Sequence, residues 1–133
     1  MEADPQTAAS LIQVHQMFCS GFASRDADAI MHLFGPDPGV VMITSEESLL
    51  RGPDEVKGFL ERYVQGTTTY SWLWDRYDVG TTRNVGWLLS EGTEIATSGT
   101  HERRHTYRMT MVLENRDNQW VLLQVHGSSP HSG

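Results

Sequence analysis

The chain has 133 residues, is 38% hydrophobic and 20% charged, and carries a formal net charge of −7 at pH 7. These values predict a single globular domain over residues 1–133 that is large enough for a core and a pocket. The acidic balance argues against nucleic acid and anionic membranes as partners, and no apolar run approaches the roughly 18 residues of a membrane span. The single cysteine, Cys19, excludes an internal disulfide and favours a cytoplasmic location.

The first element of the chain is predicted to be a long helix. Asp4 supplies an N-cap and Pro5 the first helical residue, and the pattern continues to about Ala23. Apolar residues recur every three or four positions and define one face of this helix. That face consists of Ala8, Leu11, Ile12, His15, Phe18, Cys19 and Phe22. A histidine, His15, is therefore predicted among the residues that turn inward.

Two shorter helices and two short strands follow. The second helix opens at the N-cap Asp26 and stops at Gly35, where a proline follows. The sequence "VVMIT", residues 40–44, predicts a strand, and residues 45–52 predict a turn with a short strand. Pro53 begins a third helix. The inner face of this helix consists of Val56, Phe59, Leu60 and Tyr63.

After Gly66 the pattern changes to long segments in which apolar and polar residues alternate. Turn residues separate four such segments, as between the strands of a sheet. The strands are predicted over residues 67–80, 84–92, 104–114 and 119–127. Helices on one side of an antiparallel sheet form an α+β layer architecture. The sequence therefore predicts an α+β fold in which three N-terminal helices pack on a curved antiparallel sheet.

Residues 101–105, "HERRH", match the His-Glu-x-x-His pattern of zinc peptidases. That pattern needs a helix, in which side chains four positions apart lie about 6 Å from one another. The residues that follow alternate as they do in a strand. In an extended chain His101 and His105 lie about 13 Å apart at ~3.3 Å per residue, which is too far for two ligands of one zinc ion. We therefore predict no metal site in this segment.

The order of elements resembles the nuclear transport factor 2-like superfamily, in its SnoaL-like branch. The resemblance is carried by "SRDADAIMHLF" at the second helix, "LLRGPDEVKGFL" at the third, "VGWLLSEG" in a central strand and "YRMTMVLENRDNQWVLLQVHGSSP" in the closing hairpin. It covers nearly the whole chain. It implies a cone-shaped sheet around a pocket that the first helix closes, and a homodimer. Because one fold hosts many activities, the resemblance does not imply a reaction.

Within this superfamily the ketosteroid isomerases provide a catalytic site for comparison. They use an aspartate base and an oxyanion hole made by a tyrosine and a protonated aspartate. The corresponding positions here fall at Phe18, at or beside Ile43, and near Thr110, and none of these residues can replace those groups. The similar hub domain of calcium/calmodulin-dependent protein kinase II has a basic pocket, whose two arginine positions fall at Met111 and Gly127. The resemblance therefore extends neither to that isomerase site nor to that anion pocket.

His15 is the candidate catalytic residue. It is predicted to lie on the helix that closes the pocket, and imidazole titrates near neutral pH, as a general base or acid requires. The alternative is a core histidine that is satisfied by one hydrogen bond. The walls of the pocket are predicted to be apolar and aromatic. The candidate ligand-binding residues are Phe18, Tyr63, Trp72, Trp74, Trp87, Tyr107, Met109, Met111 and Leu123.

The closing hairpin has two faces, of which one is expected to line the pocket and the other to pair with a second subunit. Tyr107, Met109 and Met111 share a face and are favoured for the pocket, because apolar strand faces usually turn to the core. The register across the "NRDN" turn does not follow from the sequence, so the assignment of the faces stays open. The residues expected at the homodimer interface through the sheet are Arg108, Trp120, Gln124 and His126.

Two functions follow from these observations. The first is a domain that binds a small apolar molecule and catalyses proton transfer on an apolar cyclic substrate, as an isomerase, cyclase or dehydratase does, with no metal or organic cofactor. The second is a non-catalytic ligand-binding or dimerisation module. The histidine and the aromatic residues favour the first function, and the missing carboxylates favour the second. The sequence ranks ligand binding first and leaves catalysis open.

Overall fold

The computed structural model describes residues 2–46 and 48–130. In chain order the elements are α1 (Pro5–Ala23), α2 (Ala27–Met31), β1 (Val41–Ile43), β2 (Leu49–Arg51), α3 (Gly52–Gln65), β3 (Thr68–Thr82), β4 (Val85–Ser98), β5 (His101–Arg116) and β6 (Gln119–Ser128). The strands form one sheet in the order β2-β1-β6-β5-β4-β3. Neighbouring strands are antiparallel apart from β1 and β6, which run parallel. The helices pack on one face of this curved, unclosed sheet, which confirms the predicted α+β fold.

The N-terminal helix begins and ends as the sequence predicts. The Asp4 carboxylate accepts a hydrogen bond from the backbone N–H of Thr7 at 2.9 Å, and this bond satisfies one of the N–H groups that a helix leaves unpaired at its start. Burial of each large apolar side chain on its inner face contributes about 1.5–3 kcal/mol. The buried side chains of α1 are Leu11, His15, Phe18 and Phe22. Neither α1 nor any other helix in the described ranges combines the length and the apolar character needed to cross a bilayer.

The second helix is shorter than predicted and ends at Met31 rather than just before Gly35. The helix ends there because the residues that follow form hydrogen bonds with β6. The N–H of Leu122 donates to the Leu33 carbonyl at 2.8 Å, and the N–H of Gly35 donates to the Leu122 carbonyl at 3.2 Å. A helix of one or two turns gains little from its own hydrogen bonds, so the contact with the sheet prevails. Phe34 is buried by this bridge to β6.

Strands β4 and β5 are longer than predicted. β4 continues beyond residue 92 to Ser98, and β5 begins at His101. The turn between them contains Gly99, whose φ of 62° is a left-handed conformation that glycine adopts without a Cβ clash. All of "HERRH" is therefore extended and lies in β5. These residues do not form the helix that a zinc-peptidase motif requires.

The sheet bends where β3 carries one extra residue opposite β4. The register shifts between Trp74 and Arg76, so Asp75 stands outside the pairing and the strand is kinked. Gly92 of β4 faces this bulge. A Cβ atom at Gly92 would lie 2.8 Å from the Cα of Trp74 and would overlap the carbonyl oxygen of Leu73. The close approach of the two backbones at the bend therefore depends on glycine at this position.

A second bulge lies between β5 and β6. The register shifts between Val112 and Leu113, and Leu123 of β6 is the extra residue, so we call this feature the β6 bulge. Strand residues alternate between two faces, and an extra residue reverses the alternation. Leu122 and Val125 are consequently both buried, although one lies at an even and the other at an odd position. The uninterrupted alternation predicted for this strand is therefore wrong.

Trp120 does not share a face with the other three residues predicted for the dimer interface. Its ring packs against the core, 3.2 Å from the position that a Cβ atom at Gly86 would occupy. Arg108, Gln124 and His126 are exposed instead. The β6 bulge separates the two groups, because it reverses the alternation between Trp120 and Gln124. The expectation that all four residues lie on one surface is therefore wrong.

Replacing Gly92→Ala is expected to destabilise the protein. The added methyl group meets backbone atoms of β3 that cannot move without disturbing the pairing of β3 with β4, and overpacking of this kind costs about 1–3 kcal/mol. Urea denaturation followed by circular dichroism measures the loss. Gly39→Ala is the control, since a Cβ atom there has nothing within 4 Å. Equal losses in the two variants would contradict the role of Gly92 in the bend.

Candidate functional site

A cavity of about 300 Å³ lies between the helices and the concave face of the sheet. Residues of α1, α3 and five of the six strands form its walls. The aromatic side chains that line it are Phe18, Phe22, Phe59, Tyr63, Tyr70, Trp72 and Tyr107. Four exposed lining residues, Glu46, Arg62, Gly66 and Thr67, mark its mouth. A largely apolar cavity of this volume fits a small organic molecule.

Alternate residues along β4 point toward the concave side of the sheet. Among them Leu88, Ser90, Glu94 and Ala96 are all buried. Glu94 is the acid of this row; it lines the cavity and is 4% exposed. Glutamate is almost never buried this fully unless it is paired, because taking a charge out of water costs several kcal/mol. The surroundings of Glu94 therefore decide what the cavity can do.

Two cross-strand neighbours hold the Glu94 carboxylate. Trp72 on β3 and His105 on β5 are its direct partners in the sheet register. The indole N–H of Trp72 donates to Oε2 at 3.1 Å, and Nε2 of His105 lies 2.8 Å from Oε1. Burial raises the pKa of Glu94 above its ordinary value, while His105 and Trp72 act in the opposite direction. We call these three residues the Glu94 cluster.

Tyr63 and Arg25 hold the walls of the cavity in place. The hydroxyl of Tyr63 donates to the Phe22 carbonyl at 2.8 Å and accepts from the Tyr70 N–H at 2.9 Å, which ties α3 to α1 and β3. Arg25 follows α1, and its guanidinium carbon lies 5.1 Å from the centre of the Tyr63 ring. The same guanidinium donates to the carbonyls of Tyr63 and Gly66 at 3.0 and 2.5 Å. The cavity is therefore bounded by elements that are bonded to one another.

Tyr70 and Tyr107 bring hydroxyl groups to the cavity. The Tyr70 hydroxyl donates to Oε1 of Glu46 at 3.3 Å. The Tyr107 hydroxyl occupies the space that a Cβ atom at Gly127 would need, so glycine at this position makes room for it. Burial first, and then the charge of nearby glutamates, raises the pKa of both tyrosines, to about 12 for Tyr70. Both hydroxyls stay protonated at neutral pH. The single proton of Tyr70 is directed at Glu46, so the Tyr107 hydroxyl is the one that can donate a hydrogen bond to a ligand.

The structure places His15 in the closed core rather than at the cavity. It is 0% exposed and does not line the cavity wall. Its Nε2 lies 2.8 Å from Oγ of Ser90, whose hydroxyl donates to the Met109 carbonyl at 3.3 Å, so the imidazole is the donor to Ser90. The rings of Trp74 and Tyr77 pack edge-on at 4.9 and 5.2 Å. The expectation that His15 lines the pocket is therefore wrong, and the core histidine considered as the alternative describes it.

The predicted ligand-binding residues divide into two groups. Those that line the cavity are Phe18, Tyr63, Trp72, Tyr107 and Met109. Trp74 and Met111 pack in the core beyond it, and Leu123 is the extra residue of the β6 bulge. Trp87 lies on the outer face of the sheet, where it is 38% exposed and its ring covers Gly80. These four residues do not line the cavity. Alternation and aromatic character could not show this, because they do not reveal how far along a strand a cavity extends.

Sequence reasoning missed Glu94 and assigned no site role to His105 beyond the rejected zinc motif. The alternation along β4 continues through Ser90 and Gly92 to Glu94, and this pattern places an acid on an otherwise apolar face. The strand predicted over residues 84–92 stops short of Glu94, whereas β4 continues to Ser98. His105 becomes informative only when the strand pairing shows which residue lies beside it.

Glu94 and His105 also bring two possible metal ligands together. Within residues 2–46 and 48–130, no group of three or more His, Cys, Asp or Glu side chains is placed to hold a metal ion. A catalytic zinc site normally has three protein ligands. The pair therefore falls short of that ligand set, and its geometry is that of a hydrogen-bonded acid and base.

Residues 11–132 match the family model described as the SnoaL-like domain. No curated protein matches the sequence significantly. A solved structure from Streptomyces avermitilis, a candidate dehydratase of the NTF2-like family, superposes with a TM-score of 0.87 at 15% identity and covers 97% of this chain and 100% of its own. An NTF2-like superfamily protein from Salmonella enterica gives 0.85 at 15% identity, with 98% and 95% covered.

A further similar structure is a candidate calcium/calmodulin-dependent protein kinase type II association domain from Thiobacillus denitrificans. Its TM-score is 0.72 at 16% identity, and the match covers 98% of each chain. At identities this low, the likeness to these three solved structures concerns the fold alone. The cavity must therefore be interpreted from its own residues.

We expect the unfolding free energy to fall as the pH is lowered from 6.5 to about 4, because burial lowers the pKa of His15 from 6.5 to about 4. In this interval the unfolded chain binds a proton that the folded chain excludes. The loss amounts to about 3 kcal/mol at ~1.36 kcal/mol per pKa unit, and it levels off below the folded-state pKa. His15→Gln keeps an N–H for Ser90 and should lose this part of the pH dependence. Urea denaturation at several pH values measures it, and an unchanged slope in the variant would contradict the assignment.

Proposed function

Because the chain belongs to the SnoaL-like domain family, we propose that its cavity binds a small, largely apolar molecule whose polar group lies against Glu94. The observation that carries this proposal is Glu94 itself, a carboxylate that is 4% exposed and lines an aromatic cavity of about 300 Å³. Such a carboxylate weakens the fold relative to a well-packed apolar residue. Ionisable groups that are perturbed in this way and lie in clefts are typical of functional sites.

The apolar walls supply binding energy, and the polar groups supply orientation. Removal of apolar surface from water gains ~25 cal/mol per Å². The ring of Phe22 contacts the rings of Tyr63 and Trp72 at centroid separations of 5.0 and 5.7 Å, which gives the cavity a continuous aromatic wall suited to a flat ligand. Glu94 and the hydroxyl of Tyr107 are polar groups within this wall. A few polar groups among apolar side chains are what fixes the orientation of a bound small molecule.

Proton transfer by Glu94 is a second function that the environment of this residue supports. Burial raises the pKa of Glu94, and a raised pKa makes a carboxylate a stronger general base near neutral pH. His105 is 39% exposed and connects Oε1 of Glu94 with solvent. The reaction would be an isomerisation, cyclisation or dehydration of an apolar cyclic substrate; the Streptomyces avermitilis protein is a candidate dehydratase. Glu94 replaces His15 as the residue proposed to transfer the proton.

The non-catalytic alternative is supported by two other residues in the wall. Phe18 and Ile43 line the cavity, and by resemblance they stand where ketosteroid isomerases carry a tyrosine and an aspartate. Thr110, near the position of the second aspartate, is exposed. The cavity is therefore apolar where those enzymes have proton donors and acceptors. A binding module needs no such groups.

Exchange of deuterium into small cyclic ketones distinguishes proton transfer from binding alone. A base that removes the proton beside the carbonyl breaks a C–H bond, and a deuteron from deuterium oxide then forms a C–D bond. With cyclohexanone and tetralone as probes, proton transfer by Glu94 predicts faster exchange with the protein than in buffer. Glu94→Gln should reduce this acceleration about 10²-fold or more, the usual contribution of a general base. Proton NMR measures the exchange.

The matched control is Glu91→Gln, which removes a carboxylate from the outer face of the same strand, where Glu91 pairs with Arg108 at 3.5 Å. This variant should exchange at the wild-type rate. If saturation-transfer NMR shows that the ketones bind but do not exchange, the protein is a binding module and proton transfer is rejected. If exchange is equally fast in Glu94→Gln, another group is the base.

We also propose a homodimer that forms through the outer face of the sheet. This face carries large exposed side chains, with Leu73 55% and Trp87 38% exposed. Arg108, Gln124 and His126 add exposed polar groups. A mixture of aromatic, aliphatic and polar side chains is typical of subunit interfaces. In a symmetric dimer the same patch is buried on both subunits at once.

Val112→Lys is expected to convert the homodimer to monomers. Val112 alternates with the buried residues Met111 and Leu113 and so points away from the core. A second subunit would bury the added charge at a cost of several kcal/mol. Gln16→Lys is the control, because Gln16 is exposed on α1, which lies on the opposite side of the sheet. Sedimentation equilibrium at micromolar concentration measures the mass, and a monomeric wild type would refute the dimer.

A further inference from the structure

We propose that the ligand of the cavity carries a positive charge, as an organic ammonium group on an apolar skeleton, and that this group pairs with Glu94. The inference rests on the proposed binding function and specifies the chemistry of the ligand. Three features support it. They are the incomplete pairing of the Glu94 carboxylate, the aromatic rings around it, and the distribution of charge at the cavity.

Among the described residues, no lysine or arginine pairs with the Glu94 carboxylate. It accepts one hydrogen bond at each oxygen, from Trp72 at 3.1 Å and from His105 at 2.8 Å. An ionised carboxylate has about four lone-pair sites, so each oxygen keeps a site for a ligand. Trp72 is neutral, and His105 is the ionisable partner found for Glu94 among the described residues. Because a buried carboxylate is costly until a cation pairs with it, a ligand ammonium group would complete the pairing.

Aromatic rings surround Glu94 on the concave face of the sheet. The strand register places Trp72 and His105 directly beside it, and Tyr70 and Tyr107 on the diagonals. The ring centres of Trp72 and Tyr107 are 5.9 Å apart. The faces of aromatic rings attract cations, and rings of this kind recognise ammonium ligands in other proteins. A neutral ligand would use the rings but would bring no positive charge to the free acceptor sites of the carboxylate.

The other charges near the cavity favour a cation over an anion. The wall contains two acids, Glu46 and Glu94, and one arginine, Arg62, which is exposed at the mouth. Arg25 lies against Tyr63, and its guanidinium is already bonded to five oxygen atoms of the chain. Arg103 is exposed further along β5. After burial, the two glutamates are the main causes that raise the pKa of Tyr70 to about 12, against a smaller opposing effect of Arg103. The cavity therefore has a negative potential at the Tyr70 hydroxyl.

Three small probes that share a benzyl group test the charge: benzylammonium, benzyl alcohol and phenylacetate. Near neutral pH we expect the wild-type protein to bind benzylammonium at least about tenfold more tightly than benzyl alcohol, and phenylacetate most weakly. Two-dimensional NMR titrations give the three values of Kd. Glu94→Gln should abolish the preference for the ammonium probe and leave the affinity for benzyl alcohol largely unchanged. Glu91→Gln, which alters the outer face, should keep the preference.

The outcomes separate this inference from the proposed function. Equal binding of the ammonium and the alcohol, or tighter binding of phenylacetate, would overturn the positive charge and leave the binding function intact. A preference for the ammonium that persists in Glu94→Gln would also overturn it, since the net charge of −7 would then account for the attraction. If none of the probes binds, the binding function fails as well.

A wild-type measurement keeps the test independent of how well Glu94→Gln folds. In the complex with benzylammonium, intermolecular nuclear Overhauser effects should connect the methylene protons of the probe with the rings of Trp72 and Tyr107, which flank Glu94. Contacts only with residues at the mouth or on the outer face would overturn the pairing with Glu94. The folding of each variant is checked by circular dichroism.

Discussion

The side chain of Arg25, stacked on Tyr63, joins several walls of the cavity at once. A left-handed backbone conformation, with φ of 58°, turns the chain directly after α1, and the guanidinium reaches the end of α3 and the start of β3. It donates to the carbonyl oxygens of Val64, Gly66 and Thr68 at 2.8, 2.5 and 2.8 Å. Carbonyls at a helix C-terminus have no partner within the helix and carry partial negative charge. The planar guanidinium, with five N–H donors, satisfies several of these carbonyls at once. The face of the guanidinium lies over the ring of Tyr63. The packing of the helices and the shape of the cavity therefore both depend on Arg25.

Local sequence patterns were sufficient for α1, which packs on the sheet. Asp4 and Pro5 set the start of α1, and the spacing of its apolar residues identified the face that is buried. The same kind of pattern was insufficient where pairing with a distant strand decides the structure. α2 ends at Met31 because Leu33 lies beside β6, and the alternation of β6 changes at Leu123. Bridges and bulges depend on the partner strand, so the residues next to them do not reveal them.

The aromatic character of the cavity could be predicted, but the pairing of its acid with His105 could not. Glu94 and His105 lie side by side only because the turn at Gly99 sets one register between β4 and β5. A shift of that register by one residue would put the two side chains on opposite faces. His15 attracted a functional interpretation because a histidine on an apolar helix face is chemically unusual. Its hydrogen-bond partner, Ser90, lies 75 residues away in the chain, and no local pattern links the two.

The β6 bulge connects the chemistry of the cavity wall with the position of one unpaired residue. With the bulge where it is, Val125 and Gly127 face the cavity, and Gln124 and His126 are exposed. If the extra residue lay beyond the end of the strand, alternation would turn Gln124 and His126 inward. An apolar wall would then become a polar wall with a titratable ring, without a change in any of these four side chains. For a lineage under selection for a new ligand, a one-residue insertion or deletion in this hairpin is a shorter mutational path than the stepwise replacement of the wall.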